Sequence, residues 1–437
     1  MQPERGGVVV VMRSLGSRVA SWMGRRYLAK AKGLDLSELA LFPSAALMPL
    51  RRDGLDPVPE LGKLREEAPV SKLVLPFGVN VWLVTGYEPV KQVLGDAKAF
   101  SNDFSNIMGR AGTEDSRNPG GLGFADPPVH TRLRKLLTPE FTMRRLARLT
   151  PGIESIVRER LDAMEAAAAG GRPVDLVAEF ALPIPSLVIC ELLGVPYGDR
   201  EEFQHLSMAR FDLFGGAGAS FGSISKSLEY LLEVVRRQRT DPGDGLIGQI
   251  IKEHGDEIED EELAGLADGV LTGGFETTAS MIALGGLVLL QDPVAFGRVA
   301  DGGEAAVSDF VEELLRHLTV VQVAFPRFAR QDVVIGGVPI GKGDVVVTSL
   351  SAADRDSVLG PGMDVIDSHR AATSHLAFGH GLHRCIGAQL ARMELRAAYP
   401  ALVHRFPGMR LAVPPQELIF RKSSIVYGVE SLPVRLS

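Results

Sequence analysis

Residues 263–290 form the longest apolar stretch of the 437-residue chain, and this stretch constrains the fold more than any other feature. It contains only two charged residues, Asp268 and Glu276, and a glycine pair, Gly273 and Gly274. A membrane-spanning helix needs roughly 20 consecutive, largely uncharged residues. Because the two carboxylates interrupt that run, the stretch predicts a long helix buried in the core of a soluble protein.

Helical periodicity continues on both sides of this stretch. From about residue 126 to residue 320 nearly all of the sequence has helical spacing. A helix start is predicted at Asp126-Pro127-Pro128, with Asp126 as the N-cap. Alternating residues predict strands in 72–84 and 332–349, and a last helix is predicted over 386–403. The fold class is therefore mainly α with minor β, and a single large helical domain with small sheets accommodates the chain.

Composition and charge exclude several classes of protein. Two cysteines are too few for a disulfide-stapled secreted module, and 45% hydrophobic residues are too many for a disordered chain. The 47 basic residues are outnumbered by 54 acidic ones, so the net charge is −7, which argues against a nucleic-acid partner. The N-terminus lacks the pattern of a secretory signal, and a cytoplasmic location is predicted.

The first 40 residues differ from the rest and are assigned to a basic extension of a domain that spans residues 41–437. Residues 1–32 carry seven basic side chains and one acidic one, a net charge of +6. Apolar residues at helical spacing over 15–27 allow two interpretations. The first is an amphipathic helix on an anionic membrane surface, and the second is a solvated helix packed on its own domain or a frayed terminus. The second is favoured, because Gly16 and Gly24 weaken an isolated helix.

Two familiar motifs fail on their context. Gly218–Gly222 matches the Gly-x-Ser-x-Gly elbow of hydrolases but lies between helices instead of after a strand. The stretch from Gly336 to Lys342 resembles a phosphate-binding loop, but Gly343 follows where Ser or Thr is needed, and the pattern predicts a hairpin. The sequence has no His-Glu-x-x-His and no paired Cys-x-x-Cys, which argues against a zinc site.

Residues 378–392 place a single cysteine, Cys385, where a loop rich in glycine becomes a helix. Backbone N–H groups and partial positive charge at a helix start stabilise a thiolate, so the pKa of Cys385 is expected to be lowered. Glycines at 379, 381 and 387 leave room for a large, flat partner to approach the backbone. This predicts a thiolate presented to a metal in a planar ring. A buried cysteine in a tight turn is the structural alternative, and Cys190 is assigned to the core.

The loop resembles the Phe-x-x-Gly-x-x-x-Cys-x-Gly signature of the cytochrome P450 haem-thiolate monooxygenases, here of soluble bacterial type. The resemblance runs from about residue 50 to residue 436 and implies the cytochrome P450 fold. It also implies that haem b is the cofactor and that Cys385 is the axial ligand of the iron. Phe378, Gly379 and Gly387 are then expected to line the cofactor.

A second similarity to this family lies within the long apolar stretch, over residues 273–277. An acid and an alcohol in an apolar helix are costly to bury unless they have partners or a chemical role. The resemblance implies that Gly273 and Gly274 open a groove over the distal face of the haem, which holds dioxygen. Glu276 and Thr277 would deliver protons there. A polar kink in a buried helix is the structural alternative.

The resemblance also implies which residues bind the haem propionates. His130 and Arg134 share a helical face at i, i+4, and Arg327 and His383 are assigned to the same role. Clustered cations are what two buried carboxylates require. For each residue alone, a solvated charge is the alternative.

A buried ion pair is implied between Glu313 and Arg316, which share a helical face at i, i+3. The family usually adds a second arginine from a segment before the cysteine loop, but Val365 stands at that position. Arg370 is the candidate to replace it.

Together these similarities predict a monooxygenase of secondary metabolism that inserts one oxygen atom of dioxygen into an apolar small molecule, most simply by hydroxylation. Oxidative coupling or epoxidation by the same family, and a haem-binding sensor without turnover, are the alternatives. The sequence has no flavin or nicotinamide motif, so electrons are expected from a ferredoxin and its reductase. The expected docking residues are Arg132, Lys135, Arg144, Arg145, Arg384 and Arg392. The expected pocket segments are 101–123, 206–221, 320–325 and 423–426.

Overall fold

The computed structural model describes residues 47–73, 80–103, 121–199 and 221–437. The basic extension and its predicted amphipathic helix lie outside the described residues, so the division at residue 40 stays a prediction. Most of the Gly218–Gly222 motif lies outside them as well. The same holds for large parts of the predicted pocket segments 101–123 and 206–221.

Helices dominate the described chain, as the periodicity predicts. The last helix begins two residues later than expected, so Cys385 lies in the loop before it. The α-helices are α1 (Pro59–Glu67), α2 (Tyr87–Gly95), α3 (Val129–Leu137), α4 (Met143–Leu146), α5 (Thr150–Ala167), α6 (Pro183–Leu193), α7 (Phe221–Thr240), α8 (Leu246–His254), α9 (Asp260–Gln291), α10 (Pro293–Asp301), α11 (Gly303–Leu318), α12 (Leu350–Ala353) and α13 (Ala388–Arg405).

The long apolar stretch forms α9, the central helix of the core. It packs against α6, α7 and α13, and most of its residues from Leu263 to Leu289 are buried. By length and composition alone α9 could cross a membrane, but 78% of its apolar 18-residue stretch is buried inside the protein. That burial is typical of a core helix, which confirms the prediction. Cys190, on α6, is fully buried in the same core.

Small sheets lie beside the helices. The strands are β1 (Arg52–Asp53), β2 (Asp56–Pro57), β3 (Val70–Leu73), β4 (Val81–Val84), β5 (Phe100–Ser101), β6 (Val174–Asp175), β7 (Arg327–Ala329), β8 (Val333–Ile335), β9 (Val338–Ile340), β10 (Val345–Thr348), β11 (Arg410–Leu411) and β12 (Pro433–Arg435). The largest sheet has the order β3-β4-β10-β7-β5, with β4 and β10 parallel and the other pairs antiparallel.

The stretch that resembles a phosphate-binding loop is a hairpin, as predicted. Strands β8 and β9 pair in antiparallel register from Val333 opposite Ile340 to Ile335 opposite Val338. The two turn residues, Gly336 and Gly337, have φ values of 53° and 83°, which glycine adopts without strain. No phosphate site is formed by this turn, because a strand follows it instead of a helix.

The predicted N-cap at Asp126 is wrong. The first helical residue of α3 is Val129, and Pro128 precedes it without a side-chain cap. The Asp126 carboxylate instead accepts hydrogen bonds from the Asn102 backbone N–H at 2.9 Å and from the Ser101 hydroxyl. The Asp126 side chain therefore binds partners that are distant in sequence, on β5 and the residue after it, instead of the nearby helix backbone.

Candidate active site

The loop before α13 is closed by its own backbone. The Cys385 N–H donates to the Phe378 carbonyl at 2.9 Å. Gly379 and Gly381 have φ values of 67° and 70°, a region that favours glycine. A Cβ on Gly381 would lie 2.4 Å from the Leu94 carbonyl oxygen at the end of α2. Gly381 is therefore required for packing against α2, which differs from the predicted role of leaving room for a flat partner.

The Cys385 thiol is accessible, although dense protein surrounds it. Burial raises its pKa above the ordinary value; the Gly387 backbone N–H and nearby Arg134, Arg384 and Arg392 act in the opposite direction. The expected lowering is therefore wrong in sign. The prediction included the donors and positive charges but not the desolvation of the thiolate, which is the larger effect.

Basic and imidazole side chains cluster beside the loop. The rings of His130, on α3, and His383 lie with centroids 4.2 Å apart. Burial and the charge of His130 and Arg327 lower the pKa of His383 to about 3. Burial also lowers the pKa of Arg327 to about 10, and burial followed by the charge of Arg134 lowers the pKa of His130. The four predicted propionate-binding residues thus affect one another electrostatically.

Asp126 belongs to this region, which the sequence analysis missed. Its negative charge raises the pKa values of His130, Arg327 and His383, against the larger effects of burial. Its backbone carbonyl accepts the His130 N–H at 2.9 Å, so it also anchors the first turn of α3. A signal was present in the sequence, four residues before His130, but it was interpreted as a helix cap.

On α9, Gly273 and Thr277 share a face, as predicted. The Thr277 hydroxyl donates to the Gly273 carbonyl at 2.8 Å, and a Cβ on Gly273 would meet nothing within 4 Å. Gly274 has different surroundings, because its Cβ would lie 3.0 Å from Cδ1 of Ile189 on α6. Open space therefore lies beside Gly273 and Thr277, while Gly274 allows two helices to approach closely.

Glu276 is buried and paired with a distant arginine. Nη1 of Arg421 lies 2.7 Å from Oε1 of Glu276, and both side chains are about 95% buried. Burial raises the pKa of Glu276 to about 8, and the charge of Arg421 opposes that rise. The sequence analysis identified Glu276 but missed Arg421, which lies 145 residues away with no local pattern to mark it.

A family model for Cytochrome P450 matches residues 73–240 and 306–422. The chain belongs to the cytochrome P450 family. It is 41% identical over 409 residues to Cytochrome P450 165C4 of Amycolatopsis orientalis. That alignment covers 92% of this chain and 99% of the relative. It is 38% identical over 388 residues to the mycinamicin IV hydroxylase/epoxidase of Micromonospora griseorubida, covering 87% and 96%.

Solved structures agree with this assignment. One is OxyC, described as a cytochrome P450 implicated in an oxidative C–C coupling reaction during vancomycin biosynthesis. It matches with a TM-score of 0.80 and 40% identity, covering 90% of this chain and 97% of that chain. Cytochromes P450 are haem-dependent monooxygenases that use dioxygen and electrons from a redox partner. The predictions of fold class, enzyme class and haem cofactor are confirmed.

The described residues fit the haem of this P450. Both ring nitrogens of His130 are fully buried and have no hydrogen-bond partner among the described residues. Such a ring beside His383, with Arg327 close enough to lower the His383 pKa, suits a bound carboxylate. The accessible Cys385 thiol offers a soft donor to iron. Metal binding requires the thiolate form, so a coordinated iron would deprotonate Cys385 despite its raised pKa.

The proposed basic docking face of this P450 is partly occupied by internal ion pairs. Arg132 contacts Glu262, and Arg145 lies 3.5 Å from Glu140. Arg392 makes a two-pronged contact with Glu312 at 2.6 and 2.7 Å. The exposed members of the set are Arg132, Lys135, Arg144 and Arg384.

Proposed function

We propose that this P450 inserts one oxygen atom of dioxygen into an apolar small molecule, with Cys385 as the axial ligand of the haem iron. The observation that carries the proposal is the buried His130 ring, which lacks a hydrogen-bond partner in the described chain and lies beside His383 and the cysteine loop. His130, Arg134, Arg327 and His383 would hold the propionates, and Phe378, Gly379 and Gly387 would adjoin the ring.

The haem supplies the oxidising chemistry when bound, and the protein supplies binding, orientation and protons. Thr277 bonds to Gly273 within α9, so its hydroxyl is already fixed at the edge of the open space. A carboxyl whose pKa is near 8 can both accept and release a proton around neutral pH. Glu276 is therefore suited to pass protons from its buried position towards the Thr277 hydroxyl.

Thr277→Val tests this role. The valine keeps the volume of threonine and loses the hydroxyl, so proton delivery is expected to fail while haem binding persists. With a substrate found by its shift of the ferric spectrum towards high spin, product per electron consumed is expected to fall about tenfold or more. Released peroxide is expected to rise.

Thr272→Val is the matched control, because that hydroxyl bonds to the Asp268 carbonyl one turn away from the proposed groove. Unchanged coupling in Thr277→Val would contradict the role of Thr277. Equal losses in both variants would indicate a disturbed helix instead of a missing proton donor.

Exposed apolar side chains near the site suggest the character of the substrate. The Phe124 and Phe325 rings lie 4.5 Å apart, and Phe325 is 45% exposed. Ile425, in the predicted pocket segment 423–426, is 43% exposed. These exposed apolar side chains favour an apolar ligand of middling size, and the aromatic pair suits an aromatic group.

Oxidative coupling is the second candidate, and the similarity to OxyC favours it. The two reactions differ in their atom balance. Hydroxylation adds one oxygen atom to the substrate, whereas coupling of two aromatic groups removes two hydrogen atoms. Mass analysis of the product formed from a bis-phenolic compound and from an apolar aliphatic one therefore separates them.

The electron donor is proposed to be a small acidic ferredoxin, and the location to be cytoplasmic. The exposed cations Lys135, Arg144 and Arg384 lie on α3, on α4 and next to Cys385, respectively. Met143, between them in sequence, is 57% exposed. Transient docking surfaces typically combine an apolar contact with surrounding charges that are opposite in sign to those of the partner.

Charge reversal at Lys135 and Arg144 tests this face. The double variant Lys135→Glu/Arg144→Glu is expected to slow reduction of the ferric enzyme by a ferredoxin about tenfold at low salt, and the difference is expected to shrink as salt is added. Arg172→Glu, on the turn before β6, is the control, because it makes the same charge reversal at one residue away from the proposed face. Equal rates in the double variant and the wild type would contradict the docking face.

A further inference from the structure

Arg421 makes a buried contact with the acid of α9. Its guanidinium meets Glu276 at 2.7 Å, although the two residues lie far apart in the sequence. A guanidinium removed from water needs a polar partner, because a buried charge without one is strongly destabilising. The position of the Arg421 guanidinium therefore depends on that of the Glu276 carboxyl group, and the reverse also holds.

The arginine is carried by a hairpin that also reaches the predicted pocket. Phe420 bridges to Val429, and the Arg421 N–H donates to the Gly428 carbonyl at 2.9 Å. The side-chain amide of Gln322 donates to the Ser424 carbonyl at 2.7 Å, and Ile425 at the tip is exposed. Residues 420–429, which we call the Arg421 hairpin, thus connect the exposed tip to the buried carboxyl group.

Gly428 allows the guanidinium to lie against α9. A Cβ at this position would come within 2.9 Å of the Ser280 hydroxyl and 3.0 Å of Cζ of Arg421. Any side chain here would displace the arginine or push the hairpin away from α9. The close approach of the hairpin is therefore part of how the ion pair is built.

We propose that Arg421 is a positioning residue for proton delivery: it fixes the carboxyl group of Glu276, the residue before Thr277, and ties that group to the Arg421 hairpin. The inference rests on the proposed function, since it assumes that Glu276 passes protons. It adds a residue from outside α9 and a physical connection between the pocket and the proton route.

The electrostatics give the sign of the expected effect. Among the described residues, Arg421 is the charged group that acts on the Glu276 carboxyl, and its action opposes the rise in pKa caused by burial. Removing this charge leaves desolvation unopposed, so the pKa of Glu276 must rise further. The carboxyl of the variant would then stay protonated to higher pH than that of the wild type.

Infrared difference spectra of the haem-loaded ferric protein test the pairing without turnover. The protonated-carboxyl band of Glu276 is assigned by its loss in Glu276→Gln and titrated with pH. In Arg421→Met the midpoint is expected to rise by about one pH unit or more. Arg421→Lys keeps the charge, so its midpoint should return most of the way to the wild-type value. Gly428→Ala keeps every charged group but displaces the guanidinium, so its midpoint should rise less.

Coupling of electrons to product and the solvent hydrogen isotope effect test the positioning role in the same variants. Arg421→Met is expected to lose about tenfold in coupling and to show a larger isotope effect, with partial rescue by lysine. An unmoved infrared midpoint in both Arg421→Met and Gly428→Ala would overturn the pairing. A moved midpoint with wild-type coupling would overturn the positioning role. If Glu276→Gln itself keeps wild-type coupling, the proposed proton route fails, and the positioning role fails with it.

Discussion

Cys385→Ala is expected to abolish monooxygenase turnover and to remove the thiolate signature of the reduced protein with carbon monoxide. Alanine supplies no donor to iron, and the strong electron donation of a thiolate, which favours O–O cleavage, is lost. The proposed propionate-binding cluster of His130, Arg327 and His383 does not depend on the sulfur. Some haem is therefore expected to remain bound, with an altered absorption spectrum.

Cys190→Ala is the matched control, because it removes the other cysteine of the chain. Cys190 is fully buried in the core, so its replacement is expected to cost about 1 kcal/mol of stability and to leave the carbon monoxide band unchanged. A Cys385→Ala protein that kept the red-shifted band would contradict the ligand assignment. A band lost in both variants would indicate a general loss of structure.

Local patterns in the sequence predicted the parts of the site that depend on neighbours in the chain. The i, i+4 spacing placed Gly273 and Thr277 on one face, and the structure joins them by a hydrogen bond. The apolar stretch around them predicted the buried helix α9, because hydrophobicity over many residues leaves few ways to fold. In both cases the contacts span a single turn or a single element.

Contacts between distant segments were not predictable in the same way. Arg421 pairs with Glu276 only because the hairpin at 420–429 packs against α9, and Asp126 turns to β5 instead of capping α3. Arg392 contacts Glu312 across two helices and is therefore a weaker docking candidate than its sequence position suggests. The pKa of Cys385 was misjudged for a related reason, since desolvation depends on the whole surrounding fold.

Arg370 is a case where a departure from the family pattern was resolved by a nearby residue. Val365 stands where the resemblance implies an arginine, and its side chain is 60% exposed. Nε of Arg370 lies 3.2 Å from Oε1 of Glu313, so the second arginine of the cluster comes from five residues further along. Irregular backbone between residues 360 and 375 allows this shift, because no helix or strand register is broken by it.

The ion cluster on α11 is expected to control stability more than any exposed pair. Arg316 donates to both carboxylate oxygens of Glu313 at 2.7 Å, and both side chains are about 98% buried. Arg316 also donates to the carbonyls of Asp354 and Met363 at 2.8 Å, which ties α11 to the segment before the cysteine loop. The Asp367 N–H donates to Glu313 at 2.9 Å.

Glu313→Gln is therefore expected to lower the free energy of unfolding by about 3–5 kcal/mol, because it leaves the buried Arg316 charge without its partner. Burial by itself would raise the pKa of Glu313, but the hydrogen bonds and charge of Arg316, the hydrogen bond from the Asp367 backbone N–H and the hydrogen bond from Arg370 lower it below its ordinary value. A group whose pKa is lowered by folding stabilises the protein fully at pH values above its unfolded-state pKa. This contribution is lost as the pH falls through the lowered, folded-state pKa. The wild type is thus expected to lose part of its advantage over the variant in acid.

Glu67→Gln, in the exposed i, i+4 pair with Lys63, makes the same chemical change and is expected to cost no more than about 1 kcal/mol. Denaturant unfolding followed by circular dichroism, at neutral pH and at acid pH, measures both variants. The burial of the Glu313 pair, and not its number of charges, is the cause of the expected difference. Equal costs in the two variants would show that water reaches the α11 cluster, and a constant cost down to acid pH would show that the Glu313 carboxylate is not the group that titrates.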